Sequence, residues 1–451
     1  MDRLLISAVG IVAFLAVYSK GVQWAFRWVV LPTLVLIPNE LVFDVAGLPD
    51  VTARRAAYVG VIAGAIVAGR TCQLIPRWRW FDVLALAPVL SFSFSFGMDT
   101  DFKGFYHRLA LLTMEWACPY LLARAALSGL DQVRAALRPL ALCSTVLAGL
   151  AVYECRMGTR LAVNLWDSLG FDVHVLWHAG YWRWGYLRAV ATFGEPIALG
   201  TFFATVTPLM ALWGLLEPKV RWMPRIAAVA CIAGCVACLS RGPMLVLIAV
   251  ALVFYLLAVP KRSLVLISIA VVMIAVGPFV IEGVQDEARF VQTEMDLAGN
   301  TTSGHYRVAL LFVYGKRILD VGFWGDREVR ASPEYEKAWS IDNAYLFLFL
   351  AGGWLGGGAF CLMVVILLYL GGRKIIHTNG HERKILAAAV ASFAAIAGCM
   401  GNVWFAPTYA PLFWLTAGLV LNLSNTIPVA DQRLVRAAPL VAPPALVGCR
   451  P

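Results

Sequence analysis

Long apolar stretches, separated by short polar connectors, run along the whole chain. A helix needs roughly 20 apolar residues to cross the hydrocarbon core of a bilayer, whereas the strands of a transmembrane barrel alternate apolar with polar residues. The unbroken stretches therefore predict an all-α fold, a polytopic bundle of transmembrane helices. They span residues 4–19, 22–38, 56–69, 81–97, 108–125, 139–153, 193–216, 226–239, 244–259, 263–281, 341–370, 385–401 and 411–425.

The connectors indicate how these helices are oriented. Clusters of Lys and Arg mark the cytoplasmic side of a membrane protein, and here they fall on alternate sides of successive stretches. The opposite side then holds two long outward segments, 154–188 and 282–340, and long connectors usually carry function. The basic connectors are residues 70–79, 134–138, 219–225, 261–262 and 373–384.

The first two stretches decide the number of crossings. Lys20 follows the first stretch and Arg27 lies within the second, so we do not expect both to cross cleanly. We expect about twelve crossings in all, given the usual length of a span. The chain then divides into transmembrane helices with a long outward loop at 154–188 (1–281), a large outward loop (282–340), C-terminal transmembrane helices (341–425) and a cytoplasmic tail (426–451).

Composition agrees with a membrane protein. Apolar residues make up 61% of the chain and charged residues 14%, and the mean hydropathy is +0.76. In a soluble domain, about a quarter of all residues are charged. The net charge of +10 is spread over many short connectors, which argues against a nucleic-acid surface. We therefore expect membrane lipids, and no nucleic acid, as partners of this chain.

Four polar motifs lie where outward segments meet apolar stretches. The guanidinium of arginine offers N–H donors in a fork that suits an anionic group, so Arg188 and Arg307 are candidates for binding phosphate. The motifs are Arg188 with Phe193-Gly194-Glu195-Pro196, Leu239-Ser240-Arg241-Gly242-Pro243, Ser303-Gly304-His305-Tyr306-Arg307, and Ile341-Asp342-Asn343-Ala344-Tyr345-Leu346 followed by Ala351-Gly352-Gly353-Trp354-Leu355-Gly356.

Structural interpretations of these motifs stay open as well. Pro196 suits the first turn of a helix. Arg241 stands at a break between two apolar stretches, where it is costly in a membrane unless paired, or where it belongs to an outward turn and reaches the membrane surface. Asp342 or Asn343 could simply cap the helix that follows, and the glycines after them allow close helix packing.

The outward segments are rich in tryptophan. Four tryptophans lie in residues 154–188, and Trp324 lies in the turn Gly322-Phe323-Trp324-Gly325 of the larger segment. Aromatic side chains suit the lipid interface, and their faces also stack on sugar rings. Both interpretations stay open.

The four motifs resemble those of the O-antigen ligase and polymerase superfamily of bacteria. The resemblance lies in the order of the motifs and in the long outward segment before the last one. That family shows an Arg ahead of a Gly-x-Phe-x-x-Pro-Asn-x-Leu-Gly-like segment, then Ser-Arg-Gly, an Arg in a large periplasmic loop, and His-Asn-x-Tyr-Leu followed by Gly-x-x-Gly. The resemblance covers about residues 185–370. It departs from the family at Asp342, where the family has His, and at Ile197, where it has Asn.

The resemblance implies an enzyme of the bacterial inner membrane with a GT-C-like bundle and a large periplasmic loop. Such proteins transfer a glycan from undecaprenyl diphosphate to an acceptor hydroxyl, on the lipid A-core in ligases or on another carrier-linked glycan in polymerases. No metal or other cofactor is implied, and other polysaccharide export proteins are candidate partners. The departures at Asp342 and Ile197 favour a polymerase over a ligase.

The resemblance also implies roles for the motif residues. Arginines bind the diphosphate, whose negative charge grows as the bond to the sugar breaks, and a carboxylate activates the acceptor hydroxyl. A positioned base contributes roughly 10²–10⁴-fold to such a rate. The predicted site comprises Arg188, Arg307 and Arg241 for the diphosphate, Asp342 and Glu195 for catalysis, and His305, Trp324 and Asn343 for substrate binding.

Two other functions stay open. A transporter or flippase for lipid-linked sugars would place several charges at mid-membrane and show an inverted repeat. Here Glu115 is the main acid within an apolar stretch, and we expect it to pair with Arg27 or Arg241. A scaffold without catalytic activity in a polysaccharide export machine is the other alternative, against which the charged groups at outward helix ends argue.

Overall fold

Helices dominate the structure, a computed structural model, and the all-α prediction is confirmed. The residues that the structure describes are 1–43, 49–76, 78–97, 102–171, 181–220, 222–258, 310, 314–315, 317–326, 341, 343–401 and 409–427. The α-helices are α1 (Asp2–Lys20), α2 (Val22–Ala25), α3 (Leu31–Leu36), α4 (Ala53–Val67), α5 (Trp80–Gly97), α6 (Phe102–Leu112), α7 (Cys118–Ala126), α8 (Leu130–Met157), α9 (Leu161–Ser168), α10 (Pro196–Leu216), α11 (Trp222–Ala237), α12 (Arg241–Ala258), α13 (Ala344–Ile376), α14 (Gly380–Met400) and α15 (Ala410–Thr426).

Short elements join some of these helices. Two turns are π-helical, Phe26–Val30 between α2 and α3 and Thr113–Ala117 between α6 and α7, and such turns are frequent at functional sites. The other short elements are 3₁₀-helical turns at Thr71–Gln73 and Pro218–Val220, an antiparallel hairpin of β1 (Val42–Phe43) with β2 (Val51–Thr52), and another of β3 (Trp182–Arg183) with β4 (Tyr186–Leu187).

Among the described residues, six helices are long and apolar enough to cross a membrane. This supports a membrane protein. The first apolar stretch forms one of the six, α1, whereas the second, Val22–Leu36, is a shorter apolar helix interrupted by the π-helical turn at Arg27. The number of crossings, the GT-C-like arrangement and the division into membrane and loop regions stay predictions. The apolar stretch 263–281 lies outside the described residues.

The connectors gather at two ends of the helical bundle. At the first, here called the basic end, Arg79 Nη1 donates to Asn425 Oδ1 at 2.7 Å and joins the start of α5 to the end of α15. Arg383 Nε donates to the carbonyl of Leu257 at 2.7 Å and joins the start of α14 to the end of α12. The second end, here called the Arg188 end, carries the starts of α4, α10, α12 and α13.

Aromatic rings fill the core where α13, α14 and α15 meet. The rings of Phe360 and Phe413 lie 4.9 Å apart, and Phe393 lies 5.3 Å from Phe413. All three side chains are almost completely buried. Aromatic pairs of this kind contribute about 0.5–1.5 kcal/mol each beyond the area that they bury, so this cluster stabilises the contact among α13, α14 and α15.

Glycines bring α1 and α4 into close contact. A Cβ added at Gly60 would overlap the carbonyl oxygen of Gly10, and one at Gly64 would overlap that of Phe14. Small residues of this kind let the backbones of membrane helices approach each other. The α1–α4 contact therefore depends on the absence of side chains at these positions.

The substitution Gly60→Leu should separate α1 from α4, because the leucine side chain has no room against Gly10. We expect the free energy of unfolding to fall by about 1–3 kcal/mol, as in other overpacked cores. The measurement is the apparent unfolding temperature of the purified protein in detergent. Gly149→Leu is the control, because a Cβ at Gly149 meets nothing within 4 Å. Equal destabilisation by both substitutions would contradict the contact.

Glu217 follows α10 at the basic end and binds side chains of α8. Its carboxylate accepts hydrogen bonds from Arg138, from Arg134 at 3.2 Å and from Trp213 Nε1 at 2.8 Å. The Arg138 guanidinium is the main cause that lowers the pKa of Glu217 from 4.5 to about 2. The ionised carboxylate therefore stabilises the fold above its ordinary pKa, and this contribution is lost as the pH falls towards 2.

The substitution Glu217→Gln should destabilise the protein at neutral pH. We expect a loss of about 1 kcal/mol, because exposed ion pairs contribute little and both arginines are about half exposed. The difference from the native protein should shrink between pH 4.5 and 2, where the native carboxylate takes up a proton. Unfolding temperatures measured across this range check the prediction, and a difference that does not change with pH would contradict it.

Candidate functional site

An irregular segment at the Arg188 end carries the first motif. Residues 188–195, here called the clamped segment, follow β4 without helix or strand and lead into α10, which begins at Pro196 as predicted. Ala191 has a φ of 44° and Gly194 a φ of 67°. A non-glycine residue rarely adopts the left-handed conformation of Ala191, so surrounding groups must hold this backbone in place.

A buried carboxylate holds the clamped segment. Glu154, in the last turn of α8, is completely buried. It accepts hydrogen bonds from three backbone N–H groups, those of Ala162 at 3.2 Å, Val190 at 3.2 Å and Ala191 at 3.0 Å. These bonds pair the buried charge and also satisfy two donors of the clamped segment and one in the first turn of α9. No periodic pattern of residues around Glu154 indicates this role.

Arg160 and Tyr181 pack beside the clamped segment. Arg160 is 1% exposed, and its guanidinium carbon lies 4.4 Å from the centre of the Tyr181 ring, in cation–π contact. The charge of Glu154 attracts the Arg160 guanidinium. The Tyr181 hydroxyl donates to the carbonyl of Gly194 at 3.5 Å. Glu154 of α8 and Tyr181 thus hold the strained part of the segment by hydrogen bonds. Arg160 supports Tyr181 by its cation–π contact.

The clamped segment presents Arg188 to the second motif. Arg188 Nη2 donates to Ser240 Oγ at 2.7 Å, and Nε donates to the carbonyl of Cys238 at 3.4 Å. Arg183 Nη1 donates to the carbonyl of Leu239 at 2.7 Å, in the same turn. Two motifs that lie 52 residues apart in the chain therefore meet at one place.

Positive charge is concentrated around Arg188. Burial lowers the pKa of the Arg188 guanidinium below its usual value, and repulsion from Arg183 lowers it further. Glu195 acts in the opposite direction. A bound anion should stabilise the charged form of Arg188, because its negative charge offsets both the burial of the guanidinium and the repulsion from Arg183.

Two other predicted site residues lie at helix ends beside this cluster. Arg241 is the first residue of α12 and is exposed, so it lies at the start of a helix; its depth in a membrane stays a prediction. Glu195 is the exposed N-cap residue of α10 and acts electrostatically on Arg188 and Tyr181. The structure therefore brings Arg188 and Glu195 into one neighbourhood.

A second irregular region lies where α13 is broken. Gly353 has a φ of 61° inside this helix, and the turn Gly322–Gly325 packs on the break. The N–H of Trp354 donates to the carbonyl of Gly322 at 3.2 Å, and a Cβ at Gly353 would overlap the backbone of the turn. At this position the glycine motif breaks the helix and joins it to the turn Gly322–Gly325.

Trp324 and Asn343 lie in this second region. Trp324 is 49% exposed, and its ring lies 5.1 Å from that of Phe323 and 6.0 Å from that of Phe94. Asn343 is the N-cap of α13, with Oδ1 accepting the N–H of Leu346 at 3.1 Å. The aromatic face of Trp324 is accessible to a ligand. The side-chain oxygen of Asn343 caps α13, which is one of the two roles considered for this residue in the sequence analysis.

Three of the eight predicted site residues lie outside the described residues, His305, Arg307 and Asp342. Their roles stay predictions. The structure describes the other five and gathers Arg188, Arg241 and Glu195 around one turn and two helix starts.

An ion pair that the sequence analysis did not predict joins α4 to the π-helical turn between α6 and α7. Glu115, in the second π-helical turn, accepts a hydrogen bond from Arg55 Nε at 2.7 Å, so the expected pairing with Arg27 or Arg241 is wrong. Arg54, beside Arg55, is 5% exposed. Two adjacent arginines at the start of an apolar stretch were the available signal, because such charges need acidic partners.

An apolar cavity runs along the bundle from the clamped segment. Phe193 and Arg54 line it at the Arg188 end, and Leu127 and Val133 line it towards the basic end. Its volume is about 60 Å³. Arg54 is the one charged residue among the described residues that line it. The lining therefore suits an apolar group better than a sugar.

The substitution Glu154→Gln should loosen the clamped segment. Its amide NH₂ cannot accept a hydrogen bond, so one or two of the buried backbone N–H groups lose their partner, at about 1–3 kcal/mol each. We expect a lower unfolding temperature in detergent and faster proteolysis between β4 and α10. Asp167→Asn is the control, because Asp167 is an exposed carboxylate in nearby α9. Unchanged stability of Glu154→Gln would contradict the clamp.

Comparisons with known proteins leave the function to be argued from the site. No protein-family model matches the chain, and no curated protein matches it. The order of the four motifs therefore provides a hypothesis about the family, and the geometry around Arg188 provides the physical argument.

Proposed function

We propose that this chain is a bacterial inner-membrane glycosyltransferase that transfers or polymerises glycan units from a polyprenyl-diphosphate carrier. The observation that carries the proposal is the hydrogen bond between Arg188 and Ser240, because it joins two of the resembling motifs into one cationic site. In this proposal the basic end faces the cytoplasm, and the Arg188 end faces the periplasm.

Arg188 binds the diphosphate of the donor in this proposal. It is half-buried and positively charged, and Arg183 lies beside it. The leaving diphosphate gains negative charge as its bond to the sugar breaks, and a fixed guanidinium in a poorly hydrated site stabilises that charge. Arg307 is the proposed second ligand of the diphosphate, and Arg241 adds positive charge at the surface.

The proposed transfer is a direct displacement at the anomeric carbon. The acceptor oxygen forms a bond to C1 of the donor sugar while the bond from C1 to the diphosphate oxygen breaks, which inverts the configuration at C1. The hydroxyl proton passes to a carboxylate, for which Glu195 and Asp342 are the candidates. The diphosphate linkage supplies the energy, so the reaction needs no nucleotide.

Two features support an amphiphilic, sugar-bearing donor. Exposed aromatic rings lie at the Arg188 end, with Trp182 52% and Trp184 67% exposed on the β3–β4 hairpin and Trp324 49% exposed near the break in α13. Such faces can stack on sugar rings. The apolar lining of the cavity at Phe193 suits part of the hydrocarbon chain of such a donor.

The substitution Arg188→Ala should remove most of the transferase activity, because losing one such charge-stabilising donor costs roughly 10²–10³-fold in rate. Arg188→Lys should recover only part of it, since lysine lacks the forked donors. The measurement is the amount and length of polymer in a deletion strain complemented with each variant at equal protein levels.

Arg156→Ala is the matched control for Arg188→Ala. Arg156 is exposed in the last turn of α8 at the same end of the bundle, so its loss removes the same charge without touching the clamped segment. Native polymer from Arg188→Ala would overturn the assignment, as would an equal loss from the control.

The alternatives differ in what the purified protein does with defined substrates. Carrier-linked repeat units alone should grow into long chains if the protein is a polymerase, whereas a ligase needs an added lipid A-core acceptor. The broken helix α13 favours the transporter alternative, since transporters use discontinuous helices. Movement of the carrier across vesicles without any covalent change would support that alternative and contradict the transferase.

A further inference from the structure

A polar pocket opens at the basic end, away from the candidate site. It has a volume of about 530 Å³ and lies between the start of α2, the connector from α4 to α5, the end of α7 and the end of α15. We propose that this pocket binds the anionic headgroup of a membrane phospholipid.

The pocket is lined by hydrogen-bond donors. Two guanidinium groups face it, and the other polar side chains are amides and hydroxyls that can donate to phosphate oxygens. These lining residues are Arg79, Arg124, Gln23, Gln73, Asn425 and Ser128. No Asp or Glu is among the described residues that line it, so the lining favours an anion.

The walls of the pocket are rigid. Asp82 is completely buried and accepts hydrogen bonds from Tyr120 at 2.6 Å and Arg124 Nε at 3.0 Å. Asn422, 5% exposed, donates to the carbonyls of Arg124 at 3.1 Å and Leu127 at 3.0 Å, at the end of α7. Arg124 is therefore held in place by its partners before any ligand binds.

Arg79 is the group that remains available for a ligand. Its side chain is exposed at the rim of the pocket, and Nη1 donates to Asn425 at 2.7 Å. Two guanidinium groups against the single carboxylate of Asp82 leave one net positive charge at the pocket. A guanidinium with five N–H donors can bind a phosphate through its other nitrogens while it keeps this bond.

The surroundings of the pocket favour a lipid over a soluble anion. Ile75 and Trp78 belong to the same connector and Trp80 begins α5; the three side chains are 62%, 53% and 66% exposed. Exposed tryptophans of this kind lie at the level of lipid headgroups. Basic pockets between membrane helices at that level bind the headgroups of anionic lipids, so the pocket and its rim fit a phospholipid whose chains extend along the bundle.

The test is native mass spectrometry of the full chain in detergent with added phosphatidylglycerol or phosphatidylcholine. We expect phosphatidylglycerol to be retained selectively, and Arg79→Gln to weaken its binding about fivefold, the usual contribution of one arginine near an anionic surface. Arg225→Gln is the matched control, since Arg225 is exposed at the same end but outside the pocket. Equal retention of both lipids, or equal losses in both variants, would overturn the proposal.

Two further measurements test the pocket without the Arg79→Gln variant, in case that variant is unstable. Ser128→Phe fills the pocket without removing a charge and should also abolish selective retention. In the native protein, phosphatidylglycerol should slow maleimide labelling of Cys72, an exposed thiol that lines the pocket. Displacement of the lipid by glycerol 1-phosphate at equal concentration would show a site for soluble anions and overturn the lipid assignment, as would unprotected Cys72.

Discussion

The polar end of this bundle depends on one buried carboxylate. Buried backbone N–H groups need a hydrogen-bond partner, and Glu154 provides three acceptor contacts where α8, α9 and the clamped segment meet. Without them the left-handed conformation at Ala191 would lack support. The position of Arg188 on Ser240, and with it the cationic site, follows from this anchor.

A second departure from regular helix follows the same logic. The break of α13 at Gly353 exposes backbone groups, and the turn Gly322–Gly325 satisfies them by direct backbone hydrogen bonds. Both irregular regions lie at the Arg188 end, whereas the basic end consists of helix ends joined by ion pairs. Regular helices thus form the frame of the protein. The two irregular regions, one stabilised by Glu154 and the other by the turn Gly322–Gly325, position the side chains of the candidate site.

Most of the helices could be predicted from the sequence, because the period and length of an apolar stretch follow from local chemistry alone. The start of α10 at Pro196 and the cap at Asn343 follow from local preferences too. The partners of buried charges could not be predicted in this way: Glu115 pairs with Arg55 across 60 residues, and the binding of Val190 and Ala191 by Glu154 depends on how α8 and α10 pack. Motif order predicted that Arg188 and Arg241 serve one site, but the contact of Arg188 with Ser240 is a property of the fold.

The proposed enzyme would hold its lipid-linked donor at two kinds of surface, with the diphosphate at Arg188 and part of the hydrocarbon chain at the apolar cavity that Phe193 lines. Burial and the neighbouring Arg183 make the site favourable for an anion. Equilibrium binding of undecaprenyl diphosphate to the purified protein in detergent, compared between the native chain and Arg188→Gln, tests this claim most directly. The account predicts binding that is about tenfold weaker or more in the variant, the usual effect of losing a charge-assisted hydrogen bond. Equal affinity of the two proteins at equal stability would contradict it.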